Sequence, residues 1–309
     1  MENMLTAKEK AERQIKKGEI VNKILKWALI VFTWFYCFTL IVPIYWLVIN
    51  ALKTNVDYYL NESFSFPTQL AFDNFTYFLE NMEVTRYVGG RITYTLPELF
   101  LTSVIYAAYP CFVNLTLTAC CAYALGRYRF FGSEFLHNLG IVLMIIPGLS
   151  SGASTIVLYR ALGIYDNLFM YGITAASCAF MGFNYLMFRG IFKGIPKEYE
   201  EAVLIDGGGY WRVFITIMIP MVLPTFGALW IMGFISAWND YTTFMTMLPS
   251  YANIAYGMYM FENNVALSDG IITPQILAGL VVVSIPSVLL FLVNQKAITE
   301  RFQVGGLKG

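Results

Sequence analysis

The chain has 309 residues, 58% of them hydrophobic and only 13% charged, with 20 basic and 20 acidic side chains. A soluble domain carries about 25% charged residues, so this composition argues against a soluble globular protein. The five cysteines (Cys37, Cys111, Cys120, Cys121, Cys178) all fall in apolar runs without metal-ligand spacing and read as small packing residues.

Residues 1–26 form a basic, helix-prone leader. Trp27 to Leu52 follows without a charge, too long for a signal-peptide core and with no small-residue cleavage site after it, so it is expected to remain as a helix. Residues 53–97 are a polar and aromatic connector containing Pro67, long enough to fold against the protein or a partner. Further apolar runs span Leu99 to Leu125, Leu136 to Leu158, Leu168 to Phe188, Met221 to Trp238 and Ile276 to Val293. About 20 apolar residues cross a bilayer as a helix, and six such runs predict six transmembrane helices. The third contains Pro147-Gly148, then Ser150, Ser151, Gly152, Ser154 and Thr155. Two readings fit it: irregular backbone lining a pathway, or a proline kink packed on a neighbour. Residues 249–273 contain no Lys or Arg.

With the N-terminus placed inside, 16 of the 20 Lys and Arg residues fall in inside segments, leaving Lys53, Arg86, Arg91 and Arg160 outside. This is a positive-inside pattern that the zero net charge conceals. No phosphate loop, zinc motif or nucleophile elbow occurs, and His137 is the lone histidine, read as structural. The apolar runs hold almost no ionisable side chains, Asp240 at the end of the fifth being the main exception. A self-powered ion-coupled pump is disfavoured, so transport energy is expected from another subunit.

The segment from Pro196 to Gly209, Pro-Lys-Glu-Tyr-Glu-Glu-Ala-Val-Leu-Ile-Asp-Gly-Gly-Gly, gives that subunit a place to attach. Pro196 suits a helix start, Glu198, Glu200 and Glu201 favour the first turn, and Gly207 suits its end. Trp211 to Ile219 can form a second short helix before Pro220. Two short helices at an angle would make a lever with an exposed acidic face carrying Tyr199 and Leu204. The same residues also fit an ordinary solvated loop.

Glu201-Ala202-Val203-x-x-Asp206-Gly207, followed by Ile217-x-Ile219-Pro220, resembles the coupling-loop motif (Glu-Ala-Ala, Asp-Gly, Ile-x-Leu-Pro) of binding-protein-dependent ABC importer permeases. Val203 replaces the second Ala and Ile219 replaces Leu, and the turn is loosened by Gly208 and Gly209. Ala122 to Phe130, Leu158 to Gly163, Phe188 to Pro196 and Trp238-Asn239-Asp240-Tyr241 resemble segments of the carbohydrate branch, and the end of the chain is similar to that of the smaller six-helix permease of maltose-type systems. The resemblance covers roughly residues 95–309.

The resemblance implies an all-α polytopic membrane protein with six transmembrane helices and the type I ABC importer permease fold. Its divisions would be a cytoplasmic leader (1–26), a first transmembrane helix (27–52), an extracytoplasmic loop (53–97), a five-helix core (98–298) with a coupling loop at 193–220, and a cytoplasmic tail (299–309). It implies no catalytic site, metal or cofactor in this chain. ATP and Mg would be bound by two partner ABC ATPase subunits. The other partners would be a second homologous permease, an extracytoplasmic sugar-binding protein and membrane lipid, with no nucleic acid, in a bacterial plasma membrane with both termini cytoplasmic. Tyr199, Glu200, Glu201, Ala202, Val203, Leu204, Asp206 and Gly207 would form the ATPase-coupling loop. Glu201 would pair with a basic group on the ATPase. Tyr199, Ala202, Val203 and Leu204 would pack in its cleft, while Asp206 and Gly207 shaped the turn. The 249–273 segment would face the binding protein, and the tail would reach between the ATPases. Trp238, Asn239, Asp240 and Tyr241 read either as sugar contacts or as interfacial anchors. The activity implied is uptake of sugars or oligosaccharides. Uptake of a non-sugar solute by the same architecture, a secondary transporter and a membrane enzyme are the alternatives.

Overall fold

A computed structural model describes residues 2–145, 151–174, 180–265 and 272–301. Among them the helices are α1 Glu2–Ala51, α2 Asn55–Leu60, α3 Asp73–Asn81, α4 Leu96–Arg127, α5 Ser133–Ile145, α6 Ser151–Ala161, α7 Leu168–Thr174, α8 Gly182–Gly194, α9 Glu198–Ile205, α10 Tyr210–Val213, α11 Ile219–Trp238, α12 Thr242–Thr246, α13 Ile254–Val265 and α14 Thr273–Arg301. A π-helical turn, Phe214–Met218, joins α10 to α11.

Four helical stretches among the described residues are long and apolar enough to cross a membrane: Gly18–Ala51, Leu96–Arg127, Tyr210–Trp238 and Thr273–Gln295. The predicted third and fourth spans are each seen as two helices, α5 with α6 and α7 with α8, on either side of residues outside the description. Pro147, Gly148, Ser150, Cys178 and the tail from 302 onward lie outside the described residues.

The all-α expectation needs one correction. Strands β1 Glu83–Tyr87 and β2 Arg91–Thr95 pair antiparallel, from Glu83 opposite Thr95 to Tyr87 opposite Arg91. Val84, Thr85, Ile92, Thr93 and Tyr94 favour extended backbone. The three-residue loop Val88-Gly89-Gly90 turns the chain with both glycines at positive φ, 69° and 157°.

The chain divides into two compact units, residues 1–74 with 272–281, and 75–271 with 282–309. In the first, buried polar groups fasten the segment after α1. Asn74 donates to the carbonyls of Ala51 and Lys53, both at 2.9 Å. The Lys53 ammonium, fully buried, donates to the Glu62 carbonyl at 2.9 Å. Asp57 accepts from the Thr68 backbone N–H at 2.8 Å and from the Asn61 side chain. These three side chains, taken out of water, thus keep partners, whereas Oδ1 of the buried Asn50 has none among the described residues.

The second unit is built around α4, which packs most extensively on α8 and α11. α4 starts where it does because Glu98 reaches back to accept from both the backbone N–H and the hydroxyl of Thr95, each at 2.8 Å. Its core joins Leu115, Ala122 and Tyr123 of α4 to Tyr185, Phe188 and Phe192 of α8 and to Val213, Met218 and Val222 further on. In lipid, such helices associate by close packing rather than by escape from water. Gly140 of α5 shows it, since a Cβ there would lie 2.5 Å from the Phe180 carbonyl oxygen. β1 is tied down by Arg86, which donates to the Tyr251 carbonyl at 3.0 and 3.1 Å and sits 3.7 Å from the centre of the Tyr256 ring.

Candidate functional site

Pro196 ends α8 by holding the preceding Ile195 extended (φ −75°, ψ 126°). One residue later the chain turns into α9, whose first turn carries Glu198, Glu200 and Glu201 near the partial positive charge of the helix N-terminus. α9 closes with a Schellman arrangement: Gly208 N–H donates to Val203 O at 2.8 Å and Gly207 N–H to Leu204 O at 3.1 Å. Gly207 takes φ +78°, the left-handed conformation this closure requires. Gly208 must also be glycine, because a Cβ would stand 2.7 Å from Val203 Cγ1 and 2.8 Å from Val203 O. The turn that reads as loose in sequence is therefore tightly closed.

Past Gly209 the chain runs helically through α10, the π turn and α11 without a break at Pro220. Pro220 has no N–H to donate, and its ring would collide with the carbonyl four residues back in a regular helix. The wider turn, in which Ile219 N–H reaches Phe214 O five residues earlier, immediately precedes it. The separate second helix expected over Trp211 to Ile219 is thus continuous with the span.

Arg127, the last residue of α4, holds this loop in place. Its Nε donates to Glu200 Oε1 at 2.6 Å, and its Nη1 donates to the carbonyls of Phe192 at 3.1 Å and Ile195 at 2.6 Å. Beneath it, the Tyr123 ring stacks on Phe214 at 4.8 Å, its hydroxyl lies 2.6 Å from that of Tyr128, and Tyr128 meets Tyr210 edge-on. Glu200 is consequently turned inward, which corrects the expectation that it belongs to an exposed acidic face. Val203 packs partly against the core. Tyr199, Glu201, Ala202, Leu204, Asp206 and Gly207 are exposed, and Ile205 is 84% exposed. Sequence reasoning missed Arg127 as the anchor. Its signal was a cation directly ending an apolar helix.

The second predicted cluster lies at the other end of α11, roughly 30 Å away at 1.5 Å per residue. The two clusters do not form one site. Trp238 is 1% exposed, stacks on Phe234, and donates from Nε1 to Val283 O at 3.2 Å. Asp240 accepts from Tyr106 (2.7 Å), Thr242 (2.7 Å), and the Thr243 hydroxyl (2.6 Å) and N–H (3.1 Å). Burial works against its charge, but these hydrogen bonds outweigh burial and hold its carboxyl below the usual range. Asn239 and Tyr241 are exposed, the latter stacked on Tyr259 at 4.9 Å.

Residues 115–303 match the family described as "Binding-protein-dependent transport system inner membrane component". The chain belongs to that family. This permease is 28% identical over 285 residues to the probable ABC transporter permease protein YurM of Bacillus subtilis, covering 90% of this chain and 87% of that one. It is 27% identical to the melibiose/raffinose/stachyose import permease protein MelC of the same organism, covering 87% and 91%. Its fold is that of a chain in the crystal structure of a bacterial ABC transporter involved in import of the acidic polysaccharide alginate, with TM-score 0.70, 20% identity and coverage of 90% and 97%. It is thus an inner-membrane, multi-pass permease subunit of a binding-protein-dependent ABC transporter, and in such transporters ATP is bound by the partner ATPase.

Proposed function

We propose that this permease imports sugars or oligosaccharides delivered by an extracytoplasmic binding protein. It crosses the membrane six times, with residues 1–26 and 299–309 in the cytoplasm and 53–97 outside. It pairs with a second homologous permease above two ATPases, and the loop 193–220 transmits their closure to the transmembrane helices. The observation that supports this best is the mounting of α9. It is anchored at its start by Arg127 and closed by Gly207 and Gly208, yet none of its residues is buried. A helix held so firmly while showing Tyr199, Ala202, Leu204 and Ile205 to solvent is suited to fit a partner's cleft and carry force. The sugar class is supported by the Trp238-Asn239-Asp240-Tyr241 segment and by the cargo for which MelC is named. Asn239 and Tyr241 are the members open to a ligand in this conformation.

Glu201 is exposed and makes no ion pair among the described residues. Glu201→Lys should abolish uptake and binding-protein-stimulated ATP hydrolysis while the chain still inserts, and Gly207→Val should do the same. Unchanged uptake in both variants would sink the coupling role. Identifying the glycan retained by the cognate binding protein tests the sugar class, and retention of no glycan would overturn it.

A further inference from the structure

A cavity of about 310 Å³ opens between the ends of α4 and α8 and the turn leading to α5. Five cations line it, Arg127, Arg129, Arg189, Lys193 and Lys197, against one carboxylate, Glu134. Glu200 answers the charge of Arg127 alone. The Arg127 side chain is only 6% exposed, and its Nη2 has no hydrogen-bond partner among the described residues. The buried Nε of Arg189 has none either. Gly126 brings these groups together, since a Cβ there would already touch Arg189 Cγ at 3.4 Å. Converging cations repel one another, and a buried guanidinium N–H without an acceptor is costly. A phosphate group answers both, because its oxygens match the guanidinium fork and the ammonium charge.

The adjoining turn decides the source of that phosphate. Phe130, Phe131 and Phe135 are exposed beside Arg129, Phe131 completely. Exposed aromatics next to a basic pocket, at the end of a membrane-crossing helix, suit the level of lipid headgroups. A free phosphate would use the cations and leave the rings unexplained. We propose that this cavity binds the phosphate-bearing headgroup of an anionic phospholipid of the cytoplasmic leaflet. Arg129, Arg189, Lys193 and Lys197 hold it, with Arg127 Nη2 as the innermost donor. The same guanidinium grips Glu200, so the headgroup and α9 share one anchor. The inference takes its leaflet from the orientation proposed above but needs neither the sugar nor the coupling role.

The test uses the permease assembled with its partner subunits and purified in detergent. Retention of phosphatidylglycerol and phosphatidylcholine is measured by native mass spectrometry, with inorganic phosphate as a separate probe. Phosphatidylglycerol should be retained in preference. Arg189→Gln with Lys193→Gln should weaken it about 25-fold, at roughly fivefold per basic side chain removed. Lys193→Gln alone changes only an exposed side chain, so it should fold normally and lose about fivefold. Equal retention of the two lipids, or retention unmoved by Lys193→Gln, would overturn the proposal. So would variant-sensitive binding of inorganic phosphate without preference for the anionic lipid. Loss of the ATPase subunits from Lys193→Gln with lipid retention unchanged would also overturn it, assigning the cations to a protein carboxylate. None of these readouts measures transport, so they stand apart from the function proposed above.

Discussion

Val203 and Gly208 constrain each other through a single closure. The Schellman bond brings Gly208 under the Val203 carbonyl, so any side chain at 208 meets backbone as well as Cγ1. Gly208→Ala should cost about 1–3 kcal/mol, the usual range for overpacking. Adding Val203→Ala should not restore it, because the carbonyl oxygen, 2.8 Å from that Cβ, remains. Thermal melting of the two variants, with ATPase stimulation as the functional readout, checks this, and full recovery in the double variant would contradict it. The sequence identified the glycines as a turn but not which of them is sterically required, since that depends on where a carbonyl falls. Asp240 makes a second residue-scale case. Its folded-state pKa is depressed, so its contribution is fully present above the ordinary carboxylate value and is lost as pH falls through the lower folded value. The melting temperature should therefore gain no dependence on Asp240 between about pH 5 and 7 and should begin to fall below about pH 4. Asp240→Asn should lose about 1–3 kcal/mol of stability at neutral pH, melt correspondingly lower, and show a shallower acid limb. An equally steep limb in that variant would remove Asp240 from the account.

At the scale of elements, the outcome rests on which helix ends meet. The end of α4 supplies Arg127, the end of α8 supplies the Phe192 and Ile195 carbonyls, and the start of α9 supplies Glu200. Removing Glu200 leaves the buried Arg127 guanidinium without its carboxylate, which costs about 3–5 kcal/mol. Removing Arg127 leaves a half-buried Glu200 that can turn to water, which costs less. Arg127→Ala and Glu200→Ala should each speed hydrogen exchange across 193–220, and the double variant should cost less than the sum of the two. Arg127→Lys should rescue only in part, because an ammonium cannot present the guanidinium fork. Additive effects would show that the pair does not act as a unit. Helix starts and stops here were legible from Pro196 and Gly207, whose backbone restrictions act locally. The pairing of Arg127 with Glu200 was not, because 73 residues separate them. The hairpin at 83–95 was not read from the sequence, which took 53–97 as one polar connector, although β-branched residues flank Gly89-Gly90.

For the whole molecule, burial is unevenly spread. The most apolar stretch of α1 buries none of its residues within the chain, whereas those of α4 and of Tyr210–Trp238 bury a third. Surfaces of that kind suit lipid or, under the pairing proposed above, a second permease. The chain assembled with its partners should melt higher than the chain alone in the same detergent, since binding to the folded state adds to its stability. Equal melting would argue against permease pairing through these faces. The sequence by itself determined the membrane setting, the charge asymmetry, the water-exposed break at 196–209 and its likeness to a coupling loop. These follow from composition, period and local backbone preference, which act within a few residues. Only the tertiary structure decided that Glu200 turns inward to Arg127, that Trp238 is packed away, that the Gly208 turn is tight, and that two groups of cations, 127–129 and 189–197, converge on one cavity. Each of those depends on which helices pack together, and close packing, unlike hydropathy, is not written in any single segment.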